Sequence, residues 1–195
     1  MSDFRSGFVA IVGRPNVGKS TLLNALVGKK VSIVSNKPQT TRTRVRGILN
    51  KDDAQLVFVD TPGLHKATTA LGERVNATAL ESMRDVDIVC LLIDATQTFG
   101  TGDKWVSEQL NIENAIVVIN KIDAVSPAKL LAQLSAISSL GAAEYFPVSA
   151  KTGEGVDHLL GAIGEFLGRA GTAREISVPL SDGATIAWLY RHGEV

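Results

Sequence analysis

Short runs of apolar and β-branched residues recur along the chain: FVAIV at 8–12, AQLVFVD at 54–60, DIVCLLID at 87–94, AIVVIN at 115–120 and EYFPVS at 144–149. Four of them are almost unbroken in hydrophobicity, as strands covered on both faces should be. Between them the apolar spacing changes to the helical period. Val156, Leu159, Leu160, Ile163, Phe166 and Leu167 form one stripe along a helix. Helical patterns also cover 19–27, 71–83 and 127–140, the last with Ser126 placed to cap and Pro127 at the first helical position, where its missing N–H costs nothing. Strands alternating with helices predict an α/β fold: a mostly parallel sheet with helices on both faces. RVRGILN at 44–50, followed by KDDA and QLVFVD, adds a sixth strand as an antiparallel hairpin at the sheet edge. After Arg169 the helical pattern stops at AGTA; EISVPL at 175–180 then reads as a strand and GATIAWLYRHGEV at 183–195 as a helix closed near Gly193. This tail falls outside the alternation. The expected division is therefore a main domain over 1–170 and a strand-helix tail over 171–195 that begins a second domain.

Composition narrows the class. With 195 residues there is room for one full domain and a short appendage, and 45% hydrophobic against 21% charged residues is the balance of a globular chain. The 20 basic and 20 acidic side chains cancel, so any attraction to nucleic acid or membrane must be local. One local bias exists: Lys29, Lys30, Lys37, Arg42, Arg44 and Arg46 fall in a stretch without an acid, either a phosphate-facing segment or a solvated loop. Cys90 is the single cysteine, inside an apolar strand, where it reads as a small buried hydrophobe and excludes an intramolecular disulfide. The N-terminus lacks a signal-peptide pattern and no apolar run approaches the ~18 residues of a membrane span. The expectation is a cytoplasmic chain.

Four segments carry chemistry. GRPNVGKS supplies Gly13, Arg14, Pro15, Asn16, Val17, Gly18, Lys19 and Ser20, with Thr21 next, between the first strand and the first helix. It matches GxxxxGK[ST], in which backbone N–H groups curl around phosphate oxygens, the lysine reaches the outer phosphates and the serine hydroxyl binds magnesium. Alone, it leaves ATPases, kinases and GTPases open. DTPG, with Asp60, Thr61, Pro62 and Gly63, ends the third strand, so that Asp60 can reach magnesium through a water and the Gly63 N–H can approach a terminal phosphate. NKID, with Asn120, Lys121 and Asp123, ends the fifth strand. The Asp123 carboxylate can accept both N–H groups of the guanine edge, a pair that adenine does not present. SAK, with Ser149, Ala150 and Lys151, ends the sixth, where a backbone N–H can meet the guanine carbonyl. All four fall at the C-terminal ends of parallel strands, where open α/β sheets build their ligand sites. Guanine-nucleotide binding follows.

In the order GRPNVGKST, QTTRT, DTPGLH, NKID and SAK, the chain resembles the translation-factor-related bacterial GTPases, and residues 6–168 closely resemble the Era family. KPQTTR at 37–42 is the most specific part of the likeness. The resemblance implies a P-loop NTPase fold of the Ras-like G-domain kind and slow GTP hydrolysis to GDP and phosphate. It also implies magnesium as cofactor and work in small-ribosomal-subunit assembly with 16S rRNA, with the inner face of the membrane as an added peripheral location. It makes Lys19, Thr41 and Gly63 the catalytic set. Thr41 would join Ser20 on magnesium when the third phosphate is present, Thr40 being the competing choice. Era proteins continue into an RNA-binding KH domain with a GxxG loop, whereas GAIG at 161–164 of this chain lies within an amphipathic helix. The tail from 175 instead resembles the segment after the GTPase domain of the HflX family. A ribosome-associated GTPase of that kind, and a non-catalytic guanine-nucleotide-binding module, are the alternatives.

The residues around Gly63 raise the mechanistic question. Many GTPases place a glutamine directly after DxxG to hold the attacking water. Here the position is Leu64, which can do no such thing, so a low intrinsic rate is expected, with the site completed by a cation or a partner. His65 reads as an exposed residue of the second switch loop rather than a general base. Asn16 has two readings, a potassium ligand supplying the charge an arginine finger would bring, as in similar GTPases, or a turn former.

Overall fold

The computed structural model describes residues 4–32, 45–52, 54–170, 178–179, 182–185 and 187. Thr40, Thr41 and the rest of the 37–42 element lie outside them. The strands are β1 (Arg5–Gly13), β2 (Val45–Asn50), β3 (Ala54–Asp60), β4 (Ile88–Asp94), β5 (Ala115–Asn120) and β6 (Glu144–Pro147). The helices are α1 (Lys19–Val27), α2 (Ala70–Glu81), α3 (Thr101–Ser107), α4 (Pro127–Ile137) and α5 (Val156–Ala170). The sheet has six strands in the order β2-β3-β1-β4-β5-β6. Among the described residues only the β2–β3 hairpin is antiparallel; it is closed by Lys51 N–H donating to the Ala54 carbonyl at 2.7 Å. The mostly parallel architecture expected from the sequence is present.

Each central strand sends alternate side chains into two cores, which is why its sequence reads as continuously apolar. Val9, Ile11, Cys90, Leu92, Ile116 and Val118 face α1 and α5, meeting Leu22, Leu23, Leu159 and Ile163. Ala10, Val12, Leu91, Ile93, Val117 and Ile119 face the opposite layer, meeting Ala79, Val106 and Ile137. Burial pushes the Cys90 thiol up to about 12, so it stays protonated and acts as a hydrophobe, as its setting suggested.

Some boundaries differ from the sequence reading. The last strand stops at Pro147, so Ser149–Lys151 form the turn after it rather than its end. α3 was not visible as a pattern: it is seven residues long and includes Gly102, too short for a periodic stripe. Gly100 N–H donates to Asp103 Oδ2 at 3.3 Å, bracing its start. Of the expected tail strand only Val178 and Pro179 are described, in neither helix nor strand; 183–185 and 187 are helical. Among the described residues no helix is long and apolar enough to cross a membrane.

Candidate nucleotide-binding site

β1 ends at Gly13 and α1 begins at Lys19, so the residues between them form a loop capped by a helix N-terminus with no acid in its first turn. Such an end attracts anions through its unpaired N–H groups and dipole. Two backbone positions shape the loop. Asn16 takes the left-handed conformation with φ 65°, which asparagine tolerates better than most residues. Gly18 has φ 103°, and a Cβ there would run into the side-chain amide of Asn120. Lys19 is 7% exposed and donates Nζ to the carbonyls of Gly13 at 3.1 Å and Arg14 at 2.8 Å. Burial lowers its pKa from 10.5 to about 8, against the opposing pull of Asp60. Arg14 turns out of the loop onto α3, where it pairs with the buried Asp103 at 3.1 Å.

The DTPG segment faces this loop. Asp60 is fully buried and its Oδ2 accepts from Ser20 Oγ at 2.6 Å and Ser32 Oγ at 2.8 Å. Two hydroxyls and a carboxylate are hard oxygen donors, and among the described residues no cluster of three or more His, Cys, Asp or Glu competes with them. This oxygen chemistry suits a magnesium ion that would share its coordination with phosphate and water, and Ser20 and Asp60 are the residues that would hold it. Thr61 is buried, its Oγ1 donating to the Ile11 carbonyl at 2.8 Å, so it pins the loop to β1. Pro62 is buried beside it. Gly63 abuts the phosphate loop: an added Cβ would lie 2.7 Å from Pro15 N. Only glycine lets the two loops approach this closely.

Leu64 is fully buried in the core formed with Ala10, Val12 and Leu91, and its N–H donates to the Gly13 carbonyl at 3.1 Å. The leucine is a core anchor for the loop. His65 is half-buried rather than exposed. Its Nδ1 lies 3.3 Å from the Gly63 carbonyl, a contact that is a hydrogen bond in the tautomer with the proton on Nδ1. Its Nε2 faces Gly72 of α2. The contacts of the two nitrogens are thus with Gly63 and Gly72.

The third segment is tied to the first. Asn120 Nδ2 donates to the Val17 carbonyl at 2.9 Å, and Lys121 Nζ donates to the Asn16 carbonyl at 2.8 Å. Lys121 also pairs with Asp94 Oδ2 at 2.6 Å. Burial pushes the Asp94 carboxyl up, but Lys121 and the two Thr96 donors outweigh it and hold the group below the ordinary carboxylate range. Asp123 is exposed at the rim, its Oδ1 accepting from the buried Ser149 Oγ at 2.7 Å. Ala150 N–H is engaged inside the protein, donating to Asn120 Oδ1 at 3.0 Å. A ligand carbonyl would displace that bond or meet a neighbouring amide of the turn, such as that of the exposed Lys151.

All the described residues singled out from the sequence thus gather at one end of the sheet, with Thr21 on the first turn of α1. Ser32, Asn76, Asp94 and Asp103 were missed. Asp94 had a signal, an acid closing a buried strand as Asp60 does; the others are contacts that no spacing announces.

Residues 8–121, more than half of the chain, match the model of the 50S ribosome-binding GTPase family. This chain belongs to that family. Its sequence and fold are also similar to those of Era proteins. It is 51% identical over 167 residues to GTPase Era of Mycobacterium tuberculosis, covering 82% of this chain and 56% of that protein. Among solved structures it matches Era in complex with MgGDPNP and nucleotides 1506–1542 of 16S ribosomal RNA, at TM-score 0.79 and 40% identity, over 92% of this chain and 61% of that one. It also matches a variant of Aquifex aeolicus Era bound to GDP and aluminium tetrafluoride, at TM-score 0.78 and 38% identity, over 90% of this chain and 60% of that one. The chain therefore spans little more than half the length of these relatives. Residues 136–195 match the model of the HflX C-terminal domain. The fold is that of P-loop GTPases.

Proposed function

We propose that this chain binds GTP and hydrolyses it to GDP and phosphate, as a switch of Era type. The observation that carries this reading is the double tie from NKID to the phosphate loop, Asn120 to the Val17 carbonyl and Lys121 to the Asn16 carbonyl, with Asp123 beside them at the rim. With those ties, a purine held by Asp123 would lie at a fixed distance from phosphates held by the loop. Lys19 would leave its carbonyl partners for the outer phosphates. Magnesium, when bound, neutralises phosphate charge; Ser20, Asp60 and Thr41 would hold it. Gly63 would present its N–H to the third phosphate. The terminal phosphate would order the second switch loop, and hydrolysis would release it, changing the surface offered to a partner.

Phosphate release under multiple turnover, with GDP and ATP as competitors, tests the proposal. Steady GTP turnover that GDP suppresses and ATP does not is expected. Tight GTP binding with no phosphate release would turn the reading to a non-catalytic module, and a preference for ATP would end it. With no side chain after Gly63 to position water, potassium beside Asn16 is the finer part of the proposal. Equal rates in potassium and sodium chloride at equal ionic strength would remove it.

The biological setting proposed is the cytoplasm, with a peripheral station at the inner membrane face, and small-subunit assembly through 16S rRNA, on the likeness to Era. A specific observation favours a second reading, an HflX-like ribosome-associated GTPase: the match of 136–195 to the HflX C-terminal domain. Pull-down of separated 30S and 50S subunits in the presence of GDPNP decides between them.

A further inference from the structure

The second switch loop leaves the phosphate site through Leu64 and His65, and one side chain of α2 grips it as it goes. Asn76, in the second turn of that helix, is 8% exposed. Its Nδ2 donates to the His65 carbonyl at 2.7 Å and its Oδ1 accepts from the His65 N–H at 3.4 Å. Flipping the amide would set donor against donor and acceptor against acceptor, so the chemistry fixes its orientation. A carboxamide offers one donor and one acceptor as a peptide group does. Asn76 therefore pairs with His65 much as a neighbouring strand would.

The helix that carries it is itself anchored. Thr69 caps α2, accepting from Gly72 N–H at 3.2 Å, and Val75 and Ala79 are buried along it. One residue earlier the loop is held from the other side, by the Leu64 N–H on the Gly13 carbonyl and by the buried Leu64 side chain. Gly63 sits directly before these two restraints and against Pro15.

We infer that Asn76 is a positioning residue for the Gly63 amide: it fixes the backbone of His65 so that the Gly63 N–H stays aimed at a third phosphate. This rests on the GTP-switch reading above. Because GDP has no third phosphate, the clamp matters to the triphosphate and leaves the diphosphate unaffected. A residue that merely filled the core would affect both alike.

The test is equilibrium binding of GDP and GDPNP to the full chain and to its Asn76→Leu and Asn76→Asp variants, with thermal unfolding recorded for each. Both variants are expected to hold GDP within about twofold of the parent, while GDPNP affinity falls about tenfold at neutral pH, the worth of two modest hydrogen bonds. An ionised aspartate has no donor for the His65 carbonyl, but a protonated one does. The Asn76→Asp deficit relative to the parent should therefore shrink as pH falls from about 7.5 toward about 5, while the Asn76→Leu deficit stays. Should the leucine variant unfold, the aspartate variant and its pH profile decide alone. Equal losses for GDP and GDPNP, no loss for GDPNP, or a deficit in Asn76→Asp that ignores pH would each overturn the inference while leaving the switch reading intact. Failure of the parent chain to bind either nucleotide would overturn both.

Discussion

Lys19 is a buried cation whose partners in the structure are two carbonyls of its own loop. Its folded pKa of about 8 lies below the ordinary 10.5, so between those values the unfolded chain holds more protons than the folded one. Stability of the nucleotide-free protein should then rise with pH across that window, and this rise should vanish when phosphates restore the lysine's charge. Calorimetry of GDP binding at about pH 8 in buffers of different ionisation enthalpy should show proton uptake, and Lys19→Ala should abolish both uptake and binding. Leu64 behaves differently from what its position after DxxG suggests. Leu64→Ala is expected to cost about 2–5 kcal/mol in chemical denaturation, the range for a leucine removed from a core. Leu64→Gln should also destabilise, by about 1–3 kcal/mol, because it buries an amide without partners, and it should not speed hydrolysis. His65→Ala should change the rate little, since its ring faces α2; a loss as large as that from Lys19→Ala would contradict the geometry.

At the scale of elements, the site is a set of strand ends tied crosswise. β4 and β5 pair with Asp94 opposite Asn120, and from that pair Lys121 reaches across to the phosphate loop. Asp94→Asn removes the anion that steadies Lys121 and should weaken GDP and GDPNP alike, by about tenfold. If Asp94 acts through Lys121, adding Asp94→Asn to Lys121→Met should cost nothing further, and additive losses would refute the coupling. The strands, the hairpin and the long helices were legible because their apolar periods are long enough to distinguish two-sided strands from one-sided helices. α3 was not, because seven residues with an internal glycine carry no stripe; its place comes from Val106 in the core and Asp103 on Arg14. The acids that close buried strands were equally visible in sequence, yet only Asp60 belonged to a known pattern.

For the molecule as a whole, the division into a G domain over 1–170 and a tail is a proposal with a direct check. A chain ending at Ala170 should keep its GDP affinity within about twofold, since the described site lies wholly before α5 and Leu159 and Ile163 of the α5 stripe pack into the sheet core. The sequence by itself determined the class, the strand order's raw material and the phosphate and guanine motifs, because these depend on local spacing: glycines in a tight loop, a lysine at a helix start, an aspartate at a strand end. What only the tertiary structure decided is how the segments hold one another. Asn120 reaches the loop 103 residues away, Asn76 grips a turn, and Leu64 leaves the phosphates for the core. Those relations depend on which strand lies beside which, and on closeness in space that separation along the chain does not encode.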